Sequence, residues 1–335
     1  MKKIRIAING FGRIGRAAFK IALEHPSLEV VAVNDLTDTE TLAYLLRFDS
    51  VYGKYGRKVS HTAQELVVDG TRFPVIAEKD PTKLPWKKMS VDVVIESTGR
   101  FVKKDLAAQH ITAGAKRVII SAPPKGGGVE TIVLGVNEGA LSDQGVISNA
   151  SCTTNCIAPV AKVISRAFGI KKAMMTTIHS YTADQNLVDG PHKDLRRARA
   201  AAHNIVPTTT GAAISTAETI PELKGLFDGL AIRVPTIDGS LADFTFLVKK
   251  KVTVEQINTA LKNAARTNEL KGVLEVTEDP IVSSDIIGNT HSSIVDLSLT
   301  KVVDGDLVKV IAWYDNEMGY AHRLIELVEK AGHGL

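Results

Sequence analysis

The stretch Gly10-Phe11-Gly12-Arg13-Ile14-Gly15 constrains this chain most, because its three glycines stand between a short apolar run and a helical pattern. Residues 4–9 read as a strand, and residues 13–25 carry Ile14, Ala17, Ala18, Ile21 and Ala22 on one helical face before Pro26. Asp35 ends the next β-like run, twenty residues after Gly15. A lone G-x-G-x-x-G is weak evidence, but strand, helix and acid together make a dinucleotide-binding unit. Gly10 permits the tight turn, Gly12 lets backbone approach a pyrophosphate, and Gly15 lets helix and strand pack closely, with the helix N-terminus facing the phosphates. Asp35 is expected to accept hydrogen bonds from an adenosine ribose and to repel a 2′-phosphate, which favours NAD over NADP.

Further β-like runs at 30–34, 91–96, 118–121 and 132–134 alternate with helical patterns, as in βαβ units with a parallel sheet. After residue 150 the runs lengthen, at 173–179, 230–234, 241–252 and 307–313, and suggest a mainly antiparallel sheet packed on helices. The expected fold is α/β: a Rossmann-type doubly wound parallel sheet with a second α+β catalytic domain. At 335 residues the chain exceeds what one core usually serves. The boundaries read as 1–150 for the nucleotide domain, rejoined by a C-terminal helix within 316–335, and 151–315 for the catalytic domain. Between them in character lies 179–205, polar, basic and without a clean period: a functional or interfacial segment, or else a weak helix around 194–203.

Composition excludes several classes. A hydrophobic fraction of 44% with 23% charged residues is that of an ordinary globular protein, and aromatics at 5% are too sparse for a base-stacking surface. The net charge of +4 is mild, with no dense basic tract, which argues against a nucleic-acid partner. Two cysteines four residues apart cannot staple distant segments, and no run approaches a membrane span. The apolar run after Met1-Lys2-Lys3 is short and broken by Arg5, unlike a signal peptide. A cytoplasmic protein with no membrane association is expected, and no metal site is read.

Ser151-Cys152-Thr153-Thr154-Asn155-Cys156 places a thiol among small polar residues. Ile157, Val160, Ala161, Ile164 and Phe168 follow at helical spacing, so Cys152 should lie near a helix N-terminus that favours a thiolate. Locally, a buried inert cysteine is an equal alternative. Beside a nicotinamide, a thiolate suits aldehyde oxidation through a hemithioacetal and a thioester. That chemistry needs a base, and of nine histidines His179 stands out at the end of an apolar run, although a surface histidine is the commoner case. Cys156 reads as a packing or hydrogen-bonding neighbour. Thr208-Thr209-Thr210-Gly211, Arg233 and the arginines 196, 197 and 199 are candidate anion binders, with helix capping and a solvated face as the alternatives.

Taken together, these residues resemble the phosphorylating glyceraldehyde-3-phosphate dehydrogenases over nearly the whole chain. The matching pieces are Ile8 to Arg16, Glu96-Ser97-Thr98-Gly99, Ser148 to Asn155, His179-Ser180-Tyr181-Thr182, Pro207 to Gly211, and Trp313-Tyr314-Asp315-Asn316-Glu317. The resemblance implies Cys152 as nucleophile and His179 as its base. It implies Ser151, Thr153, Thr210 and Gly211 around inorganic phosphate, Thr182 and Arg233 around the substrate phosphate, and Arg197 as a further phosphate contact. Gly12, Arg13, Ile14 and Asp35 would line the NAD site, Asn316 would orient the nicotinamide amide, and Lys79 and Ser121 would make lesser contacts. A homotetramer is implied, with the irregular segment after His179 bordering a neighbouring subunit's cofactor.

The implied reaction is NAD-dependent phosphorylating oxidation of glyceraldehyde 3-phosphate to 1,3-bisphosphoglycerate, with erythrose 4-phosphate oxidation as the alternative. An RNA-binding protein on the same nucleotide fold and a peroxide-sensing thiol are readings of other classes. Departures from the family pattern are Gly190 near the adenosine pocket, Ile237-Asp238-Gly239, Ile214 and Met318. The first leaves the strictness of the NAD preference open.

Overall fold

The computed structural model describes residues 2–333 and Leu335; Met1 and Gly334, at the outer edges of the expected first domain, lie outside the described residues. The chain divides into two compact units, one of 1–132, 139–150 and 321–335, the other of 133–138 and 151–320.

The first unit is built on a nine-stranded sheet. Its parallel core runs, in spatial order, Glu130–Thr131, Val146–Ser148, Arg117–Ile120, Val93–Glu96, Ile4–Asn9, Leu28–Asn34 and Thr71–Ile76. Glu65–Val68 and Val59–Thr62 extend it by antiparallel pairing, which the sequence reading did not anticipate. Chain order reverses between Ile4–Asn9 and Val93–Glu96, the switch point at which open α/β sheets hold ligands. Central strands buried on both faces explain the near-continuous apolar runs Ile4–Asn9 and Val93–Glu96. The expected strand at 132–134 is displaced to Glu130–Thr131.

Arg13–Ala22 forms the helix after the glycine loop, burying Ala17, Ala18 and Phe19. Phe19 meets Phe11 and Phe73 edge-on, with ring centroids 5.3 and 5.0 Å apart.

The second unit carries a seven-stranded sheet in the order Val206–Thr209, Phe227–Val234, Ile170–Ser180, Ser240–Val248, Leu307–Tyr314, Ser293–Val303, Leu274–Thr277. Four of its pairings are antiparallel, and two, Ile170–Ser180 with Phe227–Val234 and Leu274–Thr277 with Ser293–Val303, are parallel. Along Ser240–Val248 buried and half-buried residues alternate strictly, the period-two pattern of a strand covered on one face. The helices Cys152–Phe168, Ala212–Thr219 and Val254–Ala265 pack together in this unit. Residues 194–203 contain no helix and form turns and bends. Among the described residues no helix is long and apolar enough to cross a membrane.

Candidate active site

The helix Cys152–Phe168 begins at the cysteine itself. Ser151 is its N-cap, its hydroxyl accepting from the Thr154 N–H at 3.0 Å, and Asn155 donates to the Ser151 carbonyl at 3.0 Å. Cys152 therefore stands in the first turn, half-buried, while Cys156 one turn on is fully buried and donates to Ser293 Oγ at 3.7 Å.

His179 comes from the end of the strand Ile170–Ser180, and its Nε2 lies 3.5 Å from Cys152 Sγ. Parallel pairing sets His179 opposite Arg233, so both side chains leave the same face of the sheet. His179 Nδ1 lies 2.6 Å from the Ser180 carbonyl, which can only accept, and 2.9 Å from Arg233 Nη1, which can only donate, so the two neighbours favour opposite tautomers. Arg233 Nη1 donates to the same carbonyl at 2.9 Å and to Thr182 Oγ1 at 3.4 Å. With the ring hydrogen on Nδ1, the Nε2 lone pair faces the thiol.

Burial, then the neighbouring Arg233 charge, pushes His179 down to about 3, against the pull of its bond to Ser180. The imidazole is therefore neutral and able to accept a proton. Burial also pushes the Cys152 thiol above its ordinary value, with Arg233 and Thr153 pulling the other way. The expectation of a depressed thiol is thus not met: the helix start is where the sequence places it, but desolvation outweighs the favourable neighbours.

Tyr314, absent from the candidates read in the sequence, bridges the hydroxyls of Thr153 at 3.0 Å and Thr177 at 2.7 Å beneath this pair. Its ring meets His179 edge-on with centroids 5.9 Å apart. Ser240 was missed as well: its hydroxyl accepts from the Ser180 N–H at 3.2 Å and donates to Asn316 Oδ1 at 2.6 Å. Asn316, buried, thereby keeps its amide N–H groups for another acceptor. No local pattern distinguishes Tyr314 or Ser240, since each acts through strands distant in sequence.

The anion binders fall in two sets. Arg233 Nε is buried and has no hydrogen-bond partner, as suits a group awaiting an anion. Thr182 stands beside it. Arg197 instead organises the irregular segment, contacting Asp184 and donating to Thr208 Oγ1 at 3.0 Å and the Thr209 carbonyl at 3.3 Å. Gly211 caps the helix Ala212–Thr219 with no side-chain bond, and Thr210 Oγ1 accepts from the Ala212 N–H at 3.2 Å. Arg196 and Arg199 are exposed.

In the first unit a cleft of about 580 Å³ is lined by residues including Asn9, Gly10, Gly12, Asn34, Asp35, Lys79 and Thr98. Gly10 has φ +95°, and a Cβ there would lie 2.8 Å from Ser97 and Thr98 backbone. A Cβ on Gly15 would sit 2.1 Å from the Gly10 carbonyl oxygen. At Gly12 a Cβ would meet nothing within 4 Å, so the space over this helix start is open to a phosphate. Asp35 accepts from the N–H groups of Phe11 at 2.7 Å and Thr37 at 2.9 Å, with lone pairs left for a ribose. Arg13 pairs with Asp49 at 2.8 Å beside the half-buried Ile14. Ser121 follows the strand Arg117–Ile120, its N–H bonded to the Glu96 carbonyl, and is not among the residues lining this cleft. The residues present fit NAD.

A dinucleotide cleft at a sheet switch point and a separate unit pairing a thiol with a neutral imidazole define an NAD-dependent dehydrogenase. Residues 4–104 match the NAD-binding domain model, and 151–316 the C-terminal domain model, of glyceraldehyde 3-phosphate dehydrogenase. The chain is 56% identical over 326 residues, 97% of each chain, to the glyceraldehyde-3-phosphate dehydrogenase of Geobacillus stearothermophilus. It is 55% identical over 326 residues, again 97% of each, to glyceraldehyde-3-phosphate dehydrogenase 1 of Bacillus subtilis. Over 328 residues, 97% of this chain and 98% of the relative, it is 56% identical to the Thermotoga maritima enzyme of the same name. The chain belongs to the glyceraldehyde-3-phosphate dehydrogenase family, and its cofactor is NAD.

Proposed function

We propose that this chain oxidises glyceraldehyde 3-phosphate with NAD and inorganic phosphate to 1,3-bisphosphoglycerate, with Cys152 as nucleophile and His179 as base. The observation that carries the reading is the 3.5 Å approach of Cys152 Sγ to Nε2 of His179. Nε2 takes the thiol proton as Sγ attacks the aldehyde carbon, and returns it to the alkoxide to give a hemithioacetal. It then takes the hydroxyl proton as the adduct is oxidised to a thioester. Bound NAD supplies the hydride acceptor. Inorganic phosphate attacks the thioester carbon, and Sγ leaves as a thiolate beside the imidazolium.

Arg233, with its unpartnered Nε, and Thr182 hold the substrate's phosphate, and Arg197 adds a further contact. Ser151, Thr153, Thr210 and Gly211 hold the attacking phosphate near the start of the cysteine helix, where orphan N–H groups favour an anion. Gly12, Arg13, Ile14, Asp35, Lys79, Ser121 and Asn316 serve the cofactor. On this reading 1–150 with the helix inside 316–335 binds NAD, and 151–315 carries the chemistry.

The protein works as a cytoplasmic homotetramer. The irregular segment supports this by exposing Leu187, Val188, Leu195 and Ile205, each at least 70% accessible, as a surface that a neighbouring copy would cover.

Steady-state NADH production with glyceraldehyde 3-phosphate, with and without inorganic phosphate and with NADP in place of NAD, tests the reading. Phosphate-dependent turnover with NAD is the expected result; phosphate-independent turnover of erythrose 4-phosphate would overturn it.

A further inference from the structure

The first unit holds a polar chain that neither the glycine loop nor the thiol chemistry uses. Trp86 and His110 are fully buried, Trp86 in an apolar cluster with Leu84, Val94 and Val118. An indole N–H can only donate, and its partner is His110 Nδ1 at 3.0 Å. Nδ1 therefore carries no hydrogen, and the ring proton sits on Nε2. Nε2 faces Glu96 Oε2 at 3.1 Å; its other polar neighbour, Asn9 Nδ2 at 3.3 Å, is itself a donor. His110 thus donates to a carboxylate. A second ring proton on Nδ1 would set two donors head to head with Trp86.

Glu96 is 1% exposed, and a charge so buried is tolerable only with donors on both oxygens. Oε2 accepts from His110 and from Asn9 Nδ2 at 2.5 Å. Oε1 accepts from the Thr98 N–H at 2.9 Å and its hydroxyl at 2.5 Å. Asn9 Oδ1 in turn accepts from Asn34 at 2.6 Å, and the Asn34 carboxamide exchanges hydrogen bonds of 2.9 and 3.0 Å with the Glu78 backbone. Asn9, Asn34, Glu78 and Thr98 all line the cleft. Asn9, Asn34 and Glu96 are the last residues of three adjacent parallel strands, so this chain crosses the sheet at its switch point.

We propose that Trp86 and His110 are positioning residues for NAD: by fixing one imidazole tautomer they hold Glu96, and through it the Asn9, Asn34 and Thr98 groups that floor the cofactor cleft. The inference rests on this cleft being the NAD site. Trp86→Phe removes the donor to Nδ1 while keeping a ring in the core. Thr98→Val cuts the chain at its cleft end.

The test combines NAD titration calorimetry, thermal midpoints, KM for the aldehyde, Cys152 alkylation rates and nitrogen-15 histidine spectra of the wild-type protein. His110 should show the Nε2–H tautomer. Each variant should raise the NAD dissociation constant by about tenfold, with the aldehyde KM and the alkylation rate within about twofold of wild type. An Nδ1–H tautomer, NAD affinity unchanged in both variants, or equal losses for NAD and aldehyde alongside a lowered midpoint would overturn the inference. If Trp86→Phe does not fold, Thr98→Val and the tautomer decide it. Wild-type protein that fails to bind NAD while Cys152 still reacts would instead remove the cofactor reading beneath it.

Discussion

His179 and Arg233 are register partners on neighbouring parallel strands, and the guanidinium Nη1 lies 2.9 Å from the imidazole Nδ1. A fixed cation at that position acts on both members of the reactive pair. Second to burial, it lowers the His179 imidazole, and it offsets part of the burial that raises the Cys152 thiol.

Arg233→Gln removes the charge and keeps a polar stem. Both groups should move up, so the rate of Cys152 alkylation against pH shifts to higher pH, which iodoacetamide kinetics would detect. On the proposed reading, losing a charged hydrogen bond worth about 1.5–3 kcal/mol raises the KM for the phosphorylated aldehyde by roughly tenfold to a hundredfold. An unchanged alkylation profile would count against the electrostatic role.

His179→Asn removes the proton acceptor while leaving the thiol in place. The expected loss in kcat is about 10²- to 10⁴-fold, and Cys152→Ala should leave no turnover above background. NAD affinity, measured by calorimetry, should stay within about twofold for both variants, since the glycine-loop cleft is untouched.

Tyr314→Phe deletes the hydroxyl that joins Thr153 to Thr177. Leaving those buried groups without their shared partner should cost about 1–3 kcal/mol in urea unfolding. Because Thr153 lies beside the thiol, the KM for inorganic phosphate should rise more than that for the aldehyde. Equal changes in both would argue for a packing role alone.

Asp238 is the departure from the family pattern with the clearest consequence. Burial and the neighbouring Asp315 push its carboxyl up to about 8. An ordinary Asp in the unfolded chain ionises near 3.8, so folding becomes less favourable as pH rises from there to about 8. His179 acts in the opposite window: the unfolded chain gains its proton near 6.5 and the folded one only near 3, so stability falls as pH drops between them. Asp238→Asn should therefore raise the thermal midpoint more at pH 9 than at pH 5; calorimetric scans at the two values check the sign.

Asp35 has both carboxylate oxygens engaged by backbone N–H groups, which fixes its orientation at the cleft. Asp35→Asn keeps an acceptor but removes the repulsion of a 2′-phosphate. The ratio of kcat/KM for NADP to that for NAD should rise by at least about tenfold. A ratio that does not move would assign cofactor choice elsewhere.

The glycine loop, its strand and helix, and the acid at 35 were legible in the sequence because each obeys a local rule: a required φ at Gly10, an apolar period, a turn. Cys152 at a helix start was legible for the same reason. The strand ends Asn9, Asn34 and Glu96 carried a signal that went unread, since polar residues closing apolar parallel strands face the ligand side of such a sheet. Ser240 carried none, and Tyr314 only its place in the matching piece Trp313 to Glu317.

By itself the sequence determined the nucleotide unit, the reactive cysteine's place on its helix, and the family to which both belong, because these depend on neighbours in the chain. Only the tertiary structure decided the protonation of the pair. It set His179 against Arg233 by strand register and raised the thiol by burial, and both effects come from residues remote in sequence.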